Sequence, residues 1–242
     1  MQQYLDSEIT ISYNPTNQQF IEIEAWLFDE NKKKKEGFYK NLNFVKSAFD
    51  SHQIAVITYK SMNIGFVTWF IYADKIATIE IAEIHPKYRK KGFGKKLITS
   101  LIDYFISKNV SVIKLQCAPA ESEKVWKKLG FIEFPNNCLE WNSENKELYK
   151  IIVPHSLPTS TTSTNEYIEL WDKEIYKSSN IISKWKWDFN FITNSNLLTL
   201  PIIHPCDQEW RIQWVKDKQI IQNDKVKYFN DQEIRLGDFL II

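Results

Sequence analysis

Arg89-Lys90-Lys91-Gly92-Phe93-Gly94 stands between a strand-like run at 78–84 and a helix-like run at 97–105. Two glycines one residue apart let the backbone bend tightly and approach a ligand, because no Cβ stands in the way. The following helix would direct its unpaired N–H groups and the positive end of its dipole at that ligand. Lys95 and Lys96 add further positive charge around the turn. The stretch therefore predicts a strand–turn–helix unit that holds a pyrophosphate group.

Other glycine-rich phosphate sites fit this stretch less well. The dinucleotide fingerprint needs a glycine three residues after Gly94, where the sequence has Leu97. The P-loop pattern needs Gly-Lys-Ser/Thr after four intervening residues, and the sequence around the turn does not contain it. A plain turn at the start of a helix on a basic surface stays the alternative interpretation.

Two motifs together resemble the GNAT superfamily of N-acetyltransferases. The run 88–97 is similar to the family's acetyl-CoA signature, Arg/Gln-x-x-Gly-x-Gly/Ala, and Ile84-His85-Pro86 is similar to the end of the family's preceding strand. The run 126–131, Trp-Lys-Lys-Leu-Gly-Phe, resembles a second hallmark. The resemblance covers about residues 8–153 and leaves the C-terminal third unrecognised. It implies an α/β (α+β) fold, with a mixed, mostly antiparallel sheet flanked by helices.

The resemblance also implies a cosubstrate and the residues that contact it. The cosubstrate is acetyl-CoA, no metal is needed, and an acetyl group moves to a primary amine by direct attack on the thioester. In the family, the strand before the glycine turn separates from its neighbour and pairs with the pantetheine arm; here these strands are 77–84 and 112–117. The cofactor-binding residues implied are Ile84, Arg89, Lys90, Lys91, Gly92, Phe93, Gly94, Lys95 and Trp126.

The acceptor ammonium must lose a proton before it attacks, so a carboxylate or a chain of waters is needed near the thioester. Glu83 is the candidate general base, because it lies nearest to the expected thioester. Glu80 is an odd number of positions away, so a regular strand would point the two side chains to opposite faces. A solvated or salt-bridged strand carboxylate is the alternative for Glu83, and His85 is a weaker candidate for the base.

Two positions depart from the family pattern. The family often has a tyrosine four residues before Gly130, to protonate the leaving thiolate, and here that residue is Trp126. Indole is a donor that does not exchange protons at neutral pH. An asparagine is often found where this chain has Pro119. The departures leave two functions open: an N-acetyltransferase, or a catalytically weak acyl-CoA-binding or sensing protein whose C-terminal module engages a partner.

The composition describes an ordinary chain of 242 residues with a formal net charge of +1. The charge gives no reason to expect nucleic acid or a membrane as a partner, and no apolar run approaches the ~20 residues that span a bilayer. Three cysteines far apart indicate reduced thiols. We therefore expect a cytoplasmic protein whose acceptor is a small-molecule or peptide amine; the oligomeric state is not predicted.

Periodicity predicts the remaining elements of the first domain. A strand at 8–13 precedes a helix carrying Phe20, Ile23 and Leu27 at helical spacing. A second helix follows over 38–49, and the lysine run 32–35 between the two reads as a solvated loop. A hairpin is expected over 53–72, with its turn at 61–63.

Three regions are predicted from composition: an acetyl-CoA-binding domain at 1–153, a Ser/Thr/Pro linker at 154–165, and a β-rich module of unknown function at 166–242. In the module, aromatic and polar residues alternate at 185–191 and 210–214, as in half-buried strands. Its tryptophans are interpreted as core residues, with a stacking platform for rings as the alternative. A helix is possible over 166–177, and His204-Pro205-Cys206 reads as a turn.

Overall fold

The computed structural model describes residues 8–34, 37–72, 75–135, 138, 145–178, 181–229 and 238–242. The chain forms two compact units, Met1–Phe131 and Ile132–Ile242. The boundary expected at 153–154 falls inside the second unit. There, the expected linker is hydrogen-bonded through Ser156 N to Pro201 O (2.8 Å) and Thr159 N to Lys186 O (2.8 Å). That 154–165 joins two independently folding domains stays a prediction.

Five strands of the first unit lie side by side in chain order. They are β1 (Ile9–Ser12), β2 (Ile54–Tyr59), β3 (Met62–Tyr72), β4 (Ile76–Ile84) and β5 (Val112–Gln116). Neighbouring strands are antiparallel except for β4 and β5, which are parallel. The prediction of a mixed, mostly antiparallel sheet is confirmed.

Four α-helices flank these strands: α1 (Asn17–Lys34), α2 (Leu42–Asp50), α3 (Phe93–Ser107) and α4 (Glu123–Lys128). Short 3-10 segments precede α2, α3 and α4 at Phe38–Asn41, Pro86–Tyr88 and Ala120–Ser122. A capping box starts α1, because Thr16 N donates to Gln19 Oε1 (2.9 Å) and Gln19 N donates to Thr16 Oγ1 (3.3 Å). The predicted stripe of α1 is confirmed, since Phe20, Ile23 and Leu27 are buried.

Two local predictions in the first unit were wrong. Lys32 and Lys33 belong to α1 rather than to a loop, and Lys35 lies outside the described residues. The hairpin turn is at Lys60 and Ser61, one residue earlier than expected, with φ of 50° and 62°. A two-residue hairpin turn with both φ positive usually carries Asn or Gly, and Lys60 and Ser61 do not indicate such a turn.

The second unit is built from strands. A four-stranded sheet has the order β12-β11-β8-β9, from β8 (Glu166–Leu170), β9 (Trp185–Asp188), β11 (Arg211–Lys216) and β12 (Gln219–Lys225). Two antiparallel pairs accompany it: β6 (Ile132–Glu133) with β7 (Glu147–Ile151), and β10 (Ile203–Pro205) with β13 (Phe239–Ile241). Two 3-10 segments, Ile175–Lys177 and Val226–Tyr228, complete it. The expectation of a β-rich C-terminal region is confirmed.

The core of the second unit contains the aromatic residues that alternate in the sequence. Trp187 and Trp210 are buried there, which confirms the interpretation of these two as core residues. The possible helix at 166–177 was wrong, because β8 pairs on both sides with β9 and β11. His204 lies in β10 rather than in a turn. No helix among the described residues is long and apolar enough to cross a membrane.

Candidate active site

A cleft opens in the first unit where β4 and β5 part. Their ladder runs from Ile76 opposite Val112 to Ile79 opposite Leu115, and β4 then continues to Ile84. This is the strand separation that the resemblance implied. A cavity of about 880 Å³ lies at this point, lined by the ends of both strands and by residues of α1, α3, α4 and the 3-10 segment Phe38–Asn41. The cleft therefore meets the N-terminal turn of α3, which contributes Gly94 to the lining.

A β-bulge brings two carboxylates into the same cavity. The pairing of β3 with β4 passes from Thr68 opposite Ile81 to Trp69 opposite Ile79, so Glu80 is an extra residue on β4. A bulge interrupts the strict alternation of side chains. Glu80 and Glu83 consequently both line the cavity, instead of facing opposite sides as in a regular strand. Burial raises the pKa of Glu80, while Lys114 acts in the opposite direction.

The glycine turn ends in a helix N-terminus without a side-chain cap. Gly92 has φ 88° and ψ −6°, a left-handed conformation that favours glycine, and no side-chain hydrogen bond caps α3. The first bond of the helix runs from Lys96 N to Gly92 O (3.0 Å), so helix geometry provides no carbonyl partner for the amides of the preceding turn. A Cβ at Gly94 would lie 3.6 Å from Ile84 Cγ1. The protein itself has room for a methyl group there.

The predicted cofactor-binding residues fall into two groups. The cavity brings together Ile84, Arg89, Gly94 and Trp126, along with the candidate base Glu83. Five others are not among its lining residues: Lys90, Lys91, Gly92, Phe93 and Lys95. The three lysine side chains are exposed around the turn, where they are accessible to an anion.

Phe93 anchors the helix rather than the cavity. Its side chain is buried, with its ring centroid 5.0 Å from that of Tyr59. Only the backbone of Phe93 is therefore positioned for the contact that the resemblance implies.

Arg89 is bound to the end of β4 and to α1. Its Nε donates to Ile84 O (2.9 Å), and its Nη2 lies 3.0 Å from Glu30 Oε1 and 2.8 Å from Glu83 Oε1. The Glu30 side chain is 6% exposed and that of Glu83 is 12% exposed. Burial raises the pKa of Glu83 most strongly, Arg89 lowers it, and Glu30 raises it.

Glu30 was missed by the sequence analysis. It continues the buried stripe of α1 beyond Ile23 and Leu27 at helical spacing. A charged residue at such a position is a signal, because buried carboxylates need a partner. Glu30 Oε2 is buried and has no hydrogen-bond partner among the described residues, although Oε1 is paired with Arg89.

The wall of the cavity carries both departures from the family pattern. Trp126 and Pro119 line it, and the Trp126 ring makes an edge contact with Phe131 at 5.3 Å. The lining residues of this cavity in the described chain include no tyrosine, histidine or cysteine.

His85, the weaker candidate for the base, accepts a hydrogen bond from Lys87 N through Nδ1 (3.2 Å), and its ring contacts that of Trp26 edge-on at 5.3 Å. No group of three or more potential metal ligands occurs among the described residues.

Comparison with known proteins finds a family that the first unit resembles. Residues 17–131 match the model of the acetyltransferase (GNAT) family. Similar solved structures include Ard1 from Thermoplasma volcanium, at 17% identity and a TM-score of 0.47, covering 61% of this chain and 99% of that one. A second is PaiA N-acetyltransferase from Thermoplasma acidophilum in complex with coenzyme A, at 16% identity and a TM-score of 0.45, covering 59% and 98%.

A third is a GNAT-family acetyltransferase from Staphylococcus aureus, at 14% identity and a TM-score of 0.49, covering 60% of this chain and 99% of that one. A comparison with curated proteins finds no match. The family model ends before the second unit begins, and so the second unit is unmatched by it. Residues 17–131 of this chain are therefore similar to the GNAT family of acetyltransferases.

Proposed function

We propose that this protein is an acetyl-CoA-dependent N-acetyltransferase that moves an acetyl group to a primary amine by direct attack on the thioester. One observation carries the proposal: the cleft between β4 and β5 joins an uncapped helix N-terminus to a largely buried carboxylate, Glu83. The family match of residues 17–131 supports it. The acceptor would be a small-molecule or peptide amine.

The cosubstrate fits the groups that surround the glycine turn. The α3 N-terminus offers backbone amides and a positive dipole end to a diphosphate. Exposed Lys90, Lys91 and Lys95 would add cationic contacts. The β4 backbone beyond Ile79, which β5 leaves unpaired, would bind the pantetheine amides as an added strand does. Trp126 would form an apolar wall of the cleft.

Glu83 would take the proton from the attacking amine. Its described contacts, from Arg89 Nη2 and from Ile84 N (3.0 Å), both go to Oε1, which leaves Oε2 to accept a proton. Burial raises its pKa, and a general base works best when its pKa is near the working pH. Arg89 keeps the ionised form accessible by opposing that rise.

A second candidate function is an acyl-CoA-binding or sensing protein whose second unit engages a partner. Its support is the cavity wall itself, where Trp126 and Pro119 replace the tyrosine and asparagine expected from the resemblance. Without a tyrosine, histidine or cysteine among the described lining residues, protonation of the thiolate would depend on water or on a carboxylic acid. Slow release of the thiol would then favour binding over turnover.

An amine panel separates the two functions. Purified protein is incubated with acetyl-CoA and with amino acids, diamines, peptides with free N-termini, or aminoglycosides. Thiol release is followed by absorbance and acetylated products by mass spectrometry. The transferase predicts amine-dependent thiol release with a product heavier by one acetyl group. Tight acetyl-CoA binding with thiol release that no amine accelerates would favour the sensing protein.

A further inference from the structure

The described hydrogen bonds of the Arg89 side chain all go to the end of β4 and to α1. Three of its bonds reach Ile84 O, Glu83 and Glu30, and these lie on β4 and α1 rather than on the glycine turn. The residue directly follows the 3-10 segment Pro86–Tyr88 with an extended backbone, φ −62° and ψ 156°. Its side chain can therefore return to the β4 end while the main chain goes on to Gly92.

The two carboxylates hold the guanidinium in place. Both Glu30 and Glu83 are largely buried, and a buried carboxylate without a counter-ion is costly. Arg89 is the residue that pairs with both of them in the described chain. Moving the guanidinium to a phosphate would leave both carboxylates without this partner. Phosphate contacts from the α3 amides and the exposed lysines do not carry that penalty.

On the basis of the proposed function, we propose that Arg89 is a positioning residue for Glu83 and not a phosphate ligand. It fixes Glu83 through Oε1 with Oε2 free, and it ties α1 to β4 through Glu30. This assigns Arg89 a different role from the cofactor contact that the resemblance implies.

Several charged groups determine the titration of Glu83. Glu30 from α1 raises its pKa and Arg89 from the loop after β4 lowers it. His85 follows on the chain, and burial lowers its pKa, as do Lys87, Arg89 and Lys33 of α1, while Glu30 raises it. Glu80 lies on the same strand beside Lys114 of β5. Removing Arg89 should therefore raise the pKa of Glu83 further, and removing the Glu30 charge should lower it.

The test compares three variants by pH–rate profile and by calorimetric titration of acetyl-CoA. Arg89→Gln should move the acid limb of kcat/KM to higher pH by about one unit or more. Arg89→Lys keeps the charge but not the fork of donors, so it should shift the limb less and lower kcat. Glu30→Gln should move the limb to lower pH. All three should bind acetyl-CoA within about threefold of wild type, because none removes a predicted phosphate contact.

The comparison variant is Lys91→Gln at the glycine turn, which should weaken acetyl-CoA binding and leave the acid limb in place. The proposal is overturned if Arg89→Gln or Arg89→Lys weakens acetyl-CoA binding by about tenfold or more while the acid limb stays where it is in wild type. A failure of the proposed function looks different, since wild-type protein would then show no amine-dependent thiol release at all.

Discussion

Replacing Gly94 with alanine should weaken acetyl-CoA binding without destabilising the fold. The added Cβ would meet Ile84 Cγ1 at 3.6 Å, an ordinary contact, and Gly94 lies in the first turn of α3. Alanine in place of a helical glycine stabilises the folded state by up to about 1 kcal/mol. The methyl group would nevertheless project into the cavity and hold a phosphate away from the amides. Losing one hydrogen bond to a charged group costs about 1.5–3 kcal/mol, or roughly a tenfold to hundredfold loss of affinity.

Gly92→Ala is the matched control, because this substitution should lower the stability of the fold instead of raising it. A Cβ there would meet nothing within 4 Å, but φ of 88° is strained for an L residue, at a cost of about 1–2 kcal/mol. Urea unfolding measures the stability of both variants, and calorimetry measures their acetyl-CoA affinity. The assignment of Gly94 is refuted if Gly94→Ala is as stable as wild type and binds acetyl-CoA with unchanged affinity.

Three further predictions concern the cavity wall, the glycine turn and the second unit. Trp126→Tyr should keep the fold, at a stability cost below about 1.5 kcal/mol, and should leave kcat equal or higher because a phenol can protonate the thiolate. A hundredfold fall in kcat with intact acetyl-CoA binding would contradict this prediction. Lys91→Gln and Lys95→Gln should each weaken acetyl-CoA binding by no more than about fivefold at low salt and reduce its salt dependence, since exposed ion pairs are weak and screened. If acetyl-CoA affinity depended on salt concentration as steeply as in wild type, these lysines would not contact the cosubstrate. Burial lowers the pKa of His204 from 6.5 to about 4, so the unfolded state binds the proton at a higher pH than the folded state does. The free energy of unfolding should therefore fall by up to ~3 kcal/mol as the pH drops from about 6.5 to 4, and His204→Phe should remove this dependence in urea titrations.

The first unit was largely predictable because its signals are local. The apolar spacing of Phe20, Ile23 and Leu27 predicted α1, and the spacing after the glycines predicted α3. Gly130 has φ 85°, as expected for a glycine that ends a helix. These features depend on residues a few positions apart, and a single sequence displays them.

The contacts of the site were less predictable because they join distant parts of the chain. The bulge that brings Glu80 and Glu83 to one cavity depends on the register between β3 and β4, which no local pattern specifies. The pairing of Arg89 with Glu30 joins residues 59 positions apart. In the second unit, strands such as β8 form through pairing with β9 and β11, and so tertiary contacts override the helical pattern seen at 166–177.

The role of the cleft carboxylate is tested by the Glu83→Gln variant, measured for thiol release and for acetyl-CoA affinity in parallel. Glutamine keeps the size of the side chain but cannot accept the proton from the amine. We predict that amine-dependent thiol release falls by about a hundredfold or more, in line with the loss of a general base, while calorimetric affinity for acetyl-CoA stays within about threefold of wild type. If the Glu83→Gln protein turned over as fast as wild type, the carboxylate in the cleft would play no part in the reaction, and Glu83 would not be the general base.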